Sequence, residues 1–334
     1  MLIQSTFKPA WWLNNPHLQT IYPSLFRKLP HLTDTYRERL STPDQDFIDL
    51  DWCGKNTQQP IVILLHGLTG SSRSGYIQGL QYQLAQLGWR SVAMNHRGCS
   101  GVYNDSARCY HSGDTRDLDF VYQTLRAREP RIPLAAVGFS LGGNILLKWL
   151  GERQQTLTLF AATAVSVPLL LNLCASKLDN GFSKVYRRQL LRELKTYIYA
   201  KKRHLLDLNK AQEAEKLAQL GDLEDVNSFW QYDDKVIAKL YQFKDVHDYY
   251  QRSSSRQFLQ HIAVPTLIIQ AKDDPFMTPD VLPKAEELSA TVQLEVANAG
   301  GHVGFVAGYK PWQPKYWLED RIVEFLSLHL QKVS

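Results

Sequence analysis

Five consecutive aliphatic residues, Ile61-Val62-Ile63-Leu64-Leu65, lead directly into a loop rich in glycine and serine. An unbroken apolar run of that length, closed by turn residues, suits a strand buried on both faces. Such a strand needs helices above and below it, so this run narrows the fold to a layered α/β sheet. Further strands are predicted over Arg90–Met94, Leu134–Phe139, Leu159–Val165, Thr266–Ile269 and Val292–Val296, alternating with helical stretches. One helix is expected to run to about Leu87, where Gly88 stops it, and another from about Asp114 to Arg126, capped by Ser112 or Asp114. A third follows Ser140 to about Leu150, with Gly151 as its terminator, and the last spans about Trp317 to Gln331. The expected class is α/β, with a mostly parallel central sheet flanked by helices.

The alternation breaks between about residues 168 and 250. That stretch lacks apolar strand runs, is rich in Lys, Arg, Glu, Leu and Gln, and carries Leu190, Leu191, Leu194 and Ile198 at helical spacing. It is read as a helical cap inserted into a single domain spanning 1–334, with Tyr249 and Tyr250 anchoring its end. A composition of 44% hydrophobic and 21% charged residues is enough for a sizeable core.

Several classes fall away. A net charge of +5 without an arginine-rich stripe argues against nucleic acid as a partner. No stretch approaches the roughly 18 apolar residues of a membrane span. The start, Met-Leu-Ile-Gln-Ser-Thr-Phe-Lys-Pro, lacks the pattern of an export signal, so a cytoplasmic location is expected. Cys53, Cys99, Cys109 and Cys174 include no Cys-x-x-Cys pair and are read as reduced thiols rather than a zinc site. His17, His96 and His111 are not read as metal ligands.

The chemistry centres on Gly138-Phe139-Ser140-Leu141-Gly142, a G-x-S-x-G between a predicted strand and a predicted helix. Small residues on both sides allow the sharp bend that lifts a serine hydroxyl above the sheet. A lone serine is a poor nucleophile, so a base and an orienting acid must follow, in the order Ser, then Asp or Glu, then His. Asp274 lies just past the strand at Thr266–Ile269, and His302 just past Val292–Val296, where open α/β sheets build their sites. Asp273 is the alternative acid. The Leu141 amide opens the helix after Ser140, and the Leu68 amide lies in the loop after the first central strand; together they are expected to form an oxyanion hole. His66 is read as a buttress of that loop, and Cys99 as packing.

Four stretches also resemble a known family. Trp11-Trp12-Leu13-Asn14-Asn15-Pro16-His17-Leu18-Gln19-Thr20, Asn95-His96-Arg97-Gly98-Cys99-Ser100-Gly101, Tyr110-His111-Ser112-Gly113-Asp114 and Asp273-Asp274-Pro275-Phe276 are similar to motifs of the YheT-like hydrolases, the AB-hydrolase-4 family. The resemblance runs from about residue 8 to the last helix. It implies the α/β-hydrolase fold and hydrolysis of carboxylic esters, on short- to medium-chain or acylglycerol-like substrates. It also carries the triad roles onto Ser140, Asp274 and His302. The family includes esterases, phospholipid and acylglycerol hydrolases, and acyltransferases that make ethyl esters.

The expected mechanism is acyl transfer through an acyl-enzyme on Ser140, requiring no metal and no organic cofactor. The expected partner is a small-molecule or lipid ester, and the oligomeric state is left open. Two other functions share these residues: transfer of the acyl group to an alcohol with the same triad, and ligand binding without catalysis. The basic segment Lys184 to Arg203 suits either a solvated helix face or an anionic membrane surface. Arg97 is read as either pinned by hydrogen bonds or part of a loop at the pocket rim. Trp11 and Trp12 either cover the sheet edge or extend the pocket.

Overall fold

Strand pairing sets the architecture of the computed structural model, which describes residues 1–332; the last two positions of the expected 1–334 domain lie outside the described residues. The chain opens with β1 (Leu2–Gln4), α1 (Pro16–Phe26), β2 (Thr35–Ser41), β3 (Phe47–Cys53), β4 (Ile61–Leu65), α2 (Gly75–Gln86) and β5 (Arg90–Met94). It continues through α3 (Arg116–Arg128), β6 (Leu134–Phe139), α4 (Leu141–Arg153) and β7 (Leu159–Val165). Five helices follow: α5 (Leu171–Leu178), α6 (Ser183–Asp207), α7 (Ala211–Ala218), α8 (Phe229–Tyr232) and α9 (Val246–Ser253). The last elements are β8 (Thr266–Ala271), β9 (Val292–Ala297), the small pair β10 (Val306–Ala307) and β11 (Lys315–Tyr316), and α10 (Trp317–Leu330).

The sheet order is β1-β9-β8-β7-β6-β4-β5-β3-β2, parallel from β1 to β5 and antiparallel at β3 and β2. Strand β4 lies between β5 and β6, so chain connections leave it in opposite directions. That reversal opens a crevice at the strand C-termini. Its alternate residues feed two cores. Ile61, Ile63 and Leu65 join Trp149 and Leu125 on one face, and Val62 and Leu64 join Leu84 and Phe325 on the other.

Five strands escaped the reading from sequence: the small pair β10 and β11, and three at the edges of the central sheet. β2 and β3 form an edge ribbon in which Arg37 faces Asp51 and Arg39 faces Asp49, each pair joined by a two-pronged ion pair. Charged alternation of this kind blunts an open sheet edge. β1 has three residues and is held by the parallel partner β9.

Helix ends also differ. α3 begins at Arg116 behind Thr115, not behind Ser112 or Asp114; the Asp114 carboxylate is occupied by Arg108 and Arg116. Gly151 does not end α4, which runs on to Arg153. It is glycine because a Cβ there would lie 2.5 Å from the Phe258 carbonyl oxygen.

Between β7 and β8 the chain is helical, and α5 to α9 share an apolar core that includes Leu191, Leu194, Ile198, Phe229 and Tyr250. Not all of the basic segment faces solvent. Lys201 is fully buried, with Nζ bound to the Arg108 carbonyl and to the Tyr197 hydroxyl. Arg187 pairs with Asp179, and Lys195 reaches the Glu224 and Val226 carbonyls. Asn144, one turn into α4, ties the end of this layer to the sheet: its amide donates to the Ser112 and Ser253 carbonyls and accepts from Ser255 N–H.

Replacing a helix-interior glycine with alanine ordinarily stabilises by up to about 1 kcal/mol. Gly151→Ala is expected to do the opposite, lowering unfolding free energy by about 1–3 kcal/mol through overlap with Phe258. Urea denaturation with an unchanged m-value would measure it.

Candidate active site

Ser140 occupies the turn between β6 and α4 at φ 51° and ψ −120°, a strained backbone for a residue with a Cβ. The turn closes because α4 lies almost on the strand ends. A Cβ on Gly142 would sit 2.5 Å from the His66 carbonyl oxygen, and one on Gly138 would sit 2.5 Å from the Gly142 carbonyl oxygen. The Ser140 N–H donates to the Val165 carbonyl at 2.8 Å, which fixes the turn against β7.

The three residues singled out from distant stretches meet there. His302 Nε2 lies 2.8 Å from Ser140 Oγ, and His302 Nδ1 lies 2.8 Å from Asp274 Oδ2. A carboxylate oxygen accepts, so Nδ1 carries the proton and Nε2 accepts from the serine hydroxyl. Asp274 is nearly fully buried, and its other oxygen accepts the Phe276 N–H at 2.8 Å. Asp273 points elsewhere: its Oδ1 accepts Gly301 N–H at 3.0 Å, and burial raises its pKa. The Phe276 ring stacks on the imidazole of His302 at 4.0 Å between centroids, covering one face.

Two backbone amides beside Ser140 have no acceptor among the described residues, those of Leu68 and Leu141. The amides flanking Leu68 are occupied: Gly67 N–H donates to the Tyr76 hydroxyl and Thr69 N–H to the Tyr110 hydroxyl, each at 3.0 Å. His66 is buried behind this loop. Its Nδ1 donates to the Gly67 carbonyl while its Nε2 accepts His96 N–H. Burial pushes the His66 pKa well down and takes that of His96 to about 4, so both rings are neutral.

The loop carrying His302 is itself strained, with Val303 at φ 57° and Phe305 at φ 44°. Helix α1 holds it. Thr20 Oγ1 accepts the His302 N–H at 2.9 Å and donates to the Pro16 carbonyl. Gln19 is fully buried, with its amide donating to the Leu13 and Val306 carbonyls and accepting Val306 N–H at 2.7 Å. Gly304 packs so tightly on Gln19 that no Cβ would fit. Sequence reasoning did not find this role for Gln19 and Thr20. The only local signal is the glycine spacing around His302, which marks a close backbone neighbour without naming it.

Other candidates settle as follows. Arg97 is buried among Asp44, Asp46 and Asp117 and does not line the pocket. Burial raises the Cys99 thiol to about 12, which leaves it unreactive. His111 is buried against Tyr241 and Tyr249 with its pKa brought to about 4 by burial. Trp12 packs in a small cluster with Leu13 and Val306, and Trp11 is exposed; neither extends the pocket. No group of three His, Cys, Asp or Glu side chains suited to a metal ion occurs among the described residues.

Ser140 opens into a cavity of about 730 Å³, within the range of ligand pockets. One side is walled by the α5–α9 layer, with Leu171, Leu178, Leu194 and Phe229; the other is walled by Ile21, Pro23 and Leu25 of α1. Asp233 lies on the α5–α9 side. The Tyr250 hydroxyl donates to it at 2.7 Å, Tyr232 and Tyr249 also stand near it, and burial raises its pKa to about 7.

A parallel sheet reversing at β4, with a strained serine turn at the crevice, defines an α/β hydrolase. A family model described as the alpha/beta hydrolase fold matches residues 60–309. The chain is 40% identical over 339 residues to "Putative esterase YheT" of Escherichia coli (strain K12), covering 98% of this chain and 95% of that protein. It is 27% identical over 335 residues to phospholipase ABHD3 of Mus musculus, covering 96% and 78% respectively. Among solved structures, the Pyrococcus furiosus esterase Pf2001 superposes with a TM-score of 0.55 at 18% identity, covering 90% of this chain and 97% of that one. The chain belongs to the α/β-hydrolase family, on the branch that includes YheT.

Two measurements test the positioning and burial described. Thr20→Val leaves the His302 N–H unpaired; it should slow fluorophosphonate labelling of Ser140 about tenfold and lower unfolding free energy by about 1–3 kcal/mol. Asp233 holds its proton more tightly folded than unfolded, so the stability this carboxyl contributes is present at pH 4 and lost as pH rises through about 7. Asp233→Asn should therefore gain stability over the native chain progressively between pH 4 and 8, read from melting temperatures across that range.

Proposed function

We propose that the chain hydrolyses carboxylic esters by two-step acyl transfer at Ser140, on short- to medium-chain or acylglycerol-like substrates. The observation that carries this reading is the continuous line of hydrogen bonds from Asp274 through His302 to Ser140 at the floor of an open, mostly apolar pocket. His302 takes the Ser140 proton on Nε2 as Oγ attacks the ester carbonyl, and Asp274 steadies the imidazolium that results. The carbonyl oxygen, now negative, is received by the Leu68 and Leu141 amides, which have no acceptor among the described residues. His302 then gives its proton to the departing alcohol. Water enters, loses a proton to His302 and attacks the acyl carbonyl; the bond to Oγ breaks, the acid leaves, and His302 returns the proton to Ser140.

The names carried by YheT and ABHD3, an esterase and a phospholipase, support an ester as substrate. The pocket supports a chain of modest length, because about 730 Å³ shared between two walls holds an acyl group and a small alcohol together.

Ser140→Ala should reduce turnover of p-nitrophenyl esters by at least about 10³-fold and abolish fluorophosphonate labelling, with melting temperature preserved. Turnover unchanged in that variant would remove Ser140 from the chemistry. Running the same assay with ethanol present separates hydrolysis from alcohol acyl transfer: water as acceptor leaves free acid as the main product, whereas an acyltransferase accumulates the ethyl ester.

A further inference from the structure

The pocket-lining residues that are also exposed, Ser24, Leu25, Leu29 and Arg73, mark where the cavity opens. The surface around that opening is apolar in a way most of the molecule is not. On α1, Leu18, Leu25 and Phe26 stand at i, i+7 and i+8, which is one helix face, and all are exposed, Phe26 at 64%. The His17 ring lies 4.5 Å from that of Phe182, joining this strip to the start of α6, where Phe182 and Val185 are again exposed. On the other side the Tyr22 hydroxyl donates to the Pro311 carbonyl, which brings up the loop between β9 and α10. There Tyr309 and Trp312 are 83% and 78% exposed, and the Trp11 indole donates to the Tyr309 carbonyl.

Charge on the same surface has one sign. The chain has 33 acidic residues in 334, yet residues 11–33, 180–192 and 309–316, which supply this surface, hold none. Their cations Lys28, Lys184, Arg188, Arg192, Lys310 and Lys315 make no ion pair among the described residues. Arg27 and Arg187 on these stretches are paired, with Glu319 and Asp179. The nearby Asp273 turns its carboxylate inward to Gly301 N–H.

We infer that this rim docks the protein on an anionic lipid surface, so that, given the ester-hydrolase reading above, lipid esters enter the pocket directly from the lipid phase. Exposed leucine and phenylalanine suit the acyl boundary, and tryptophan and tyrosine suit the level where hydrocarbon meets water. Unpaired lysines around them suit anionic headgroups. A rim without carboxylates also avoids repulsion from such a surface. The dock lies on α1 and the β9–α10 loop as much as on the α5–α9 layer, and differs from a contact made by the basic face of α6 alone.

Co-sedimentation with vesicles tests it on the full chain. At low salt the native protein should bind vesicles of phosphatidylcholine with about 30% phosphatidylglycerol and bind pure phosphatidylcholine at least about tenfold more weakly, with the difference shrinking as salt rises. The triple variants Leu18→Ser/Phe26→Ser/Trp312→Ser and Lys28→Glu/Lys184→Glu/Lys310→Glu should each lose about tenfold or more of that binding. Hydrolysis of a water-soluble p-nitrophenyl ester should stay within about twofold of the native rate in both, which also reports that they fold. Equal binding to both vesicle types, or unchanged binding by both variants, would overturn the proposal. So would a solution dimer that these substitutions dissociate, since the face would then belong to a second copy. Binding that the variants lose supports the dock even if no ester is turned over, because that failure concerns Ser140 alone.

Discussion

The approach of α4 to the end of β4 governs the rest of the molecule. Ser140 can hold a left-handed backbone only because glycines at 138 and 142 let the helix descend onto the Leu65 and His66 carbonyls. Once there, the helix fixes more than a hydroxyl. Its first residue, Leu141, lines the pocket, its Asn144 gathers the 112 loop and the end of the α5–α9 layer, and its Trp149 packs into one core. Ser140 and the α5–α9 layer are therefore placed by one rigid element rather than by separate loops, which fixes their spacing.

A second strained turn faces the first. The residues after His302 adopt backbone angles that valine and phenylalanine rarely accept, and they stay there because Gln19 and Thr20 occupy the polar groups of the loop. Strain persists only where the surroundings over-determine it. Here the surroundings come from nearly three hundred residues away in sequence. The same helix that supplies them forms one wall of the pocket, so the position of the imidazole and the width of the entrance depend on one element.

How much of this was legible varied with the kind of interaction. The central parallel strands announce themselves because burial on both faces leaves nothing but apolar residues to choose from. Ser140, Asp274 and His302 could be singled out because each follows a strand end in a fixed chain order. The edge strands β2 and β3 were illegible because charged side chains and cross-strand ion pairs look like loop until the partner is known. Gly151 reads as a helix stop because propensity is local, whereas its cause is Phe258, far along the chain. Lys201 reads as a surface charge and is buried because three polar atoms happen to surround it. The brace at Gln19 and Thr20 was invisible for the same reason: a polar residue on a short helix shows nothing of what it will hold.

The pairing of β1 with β9, and of α1 with the His302 loop, also constrains the order of assembly. On a ribosome residues 1–20 emerge well before most of their long-range hydrogen-bonding partners, which lie beyond residue 290. Until then the opening segment, with its leucines and tryptophans, has nowhere to dock. The central strands can condense around β4 meanwhile, since β4, β5 and β6 fall within eighty residues of one another. The histidine loop thus takes its shape only after residues far apart in the chain have met, and a chain with most of its sheet already formed would still lack the line from Asp274 through His302 to Ser140.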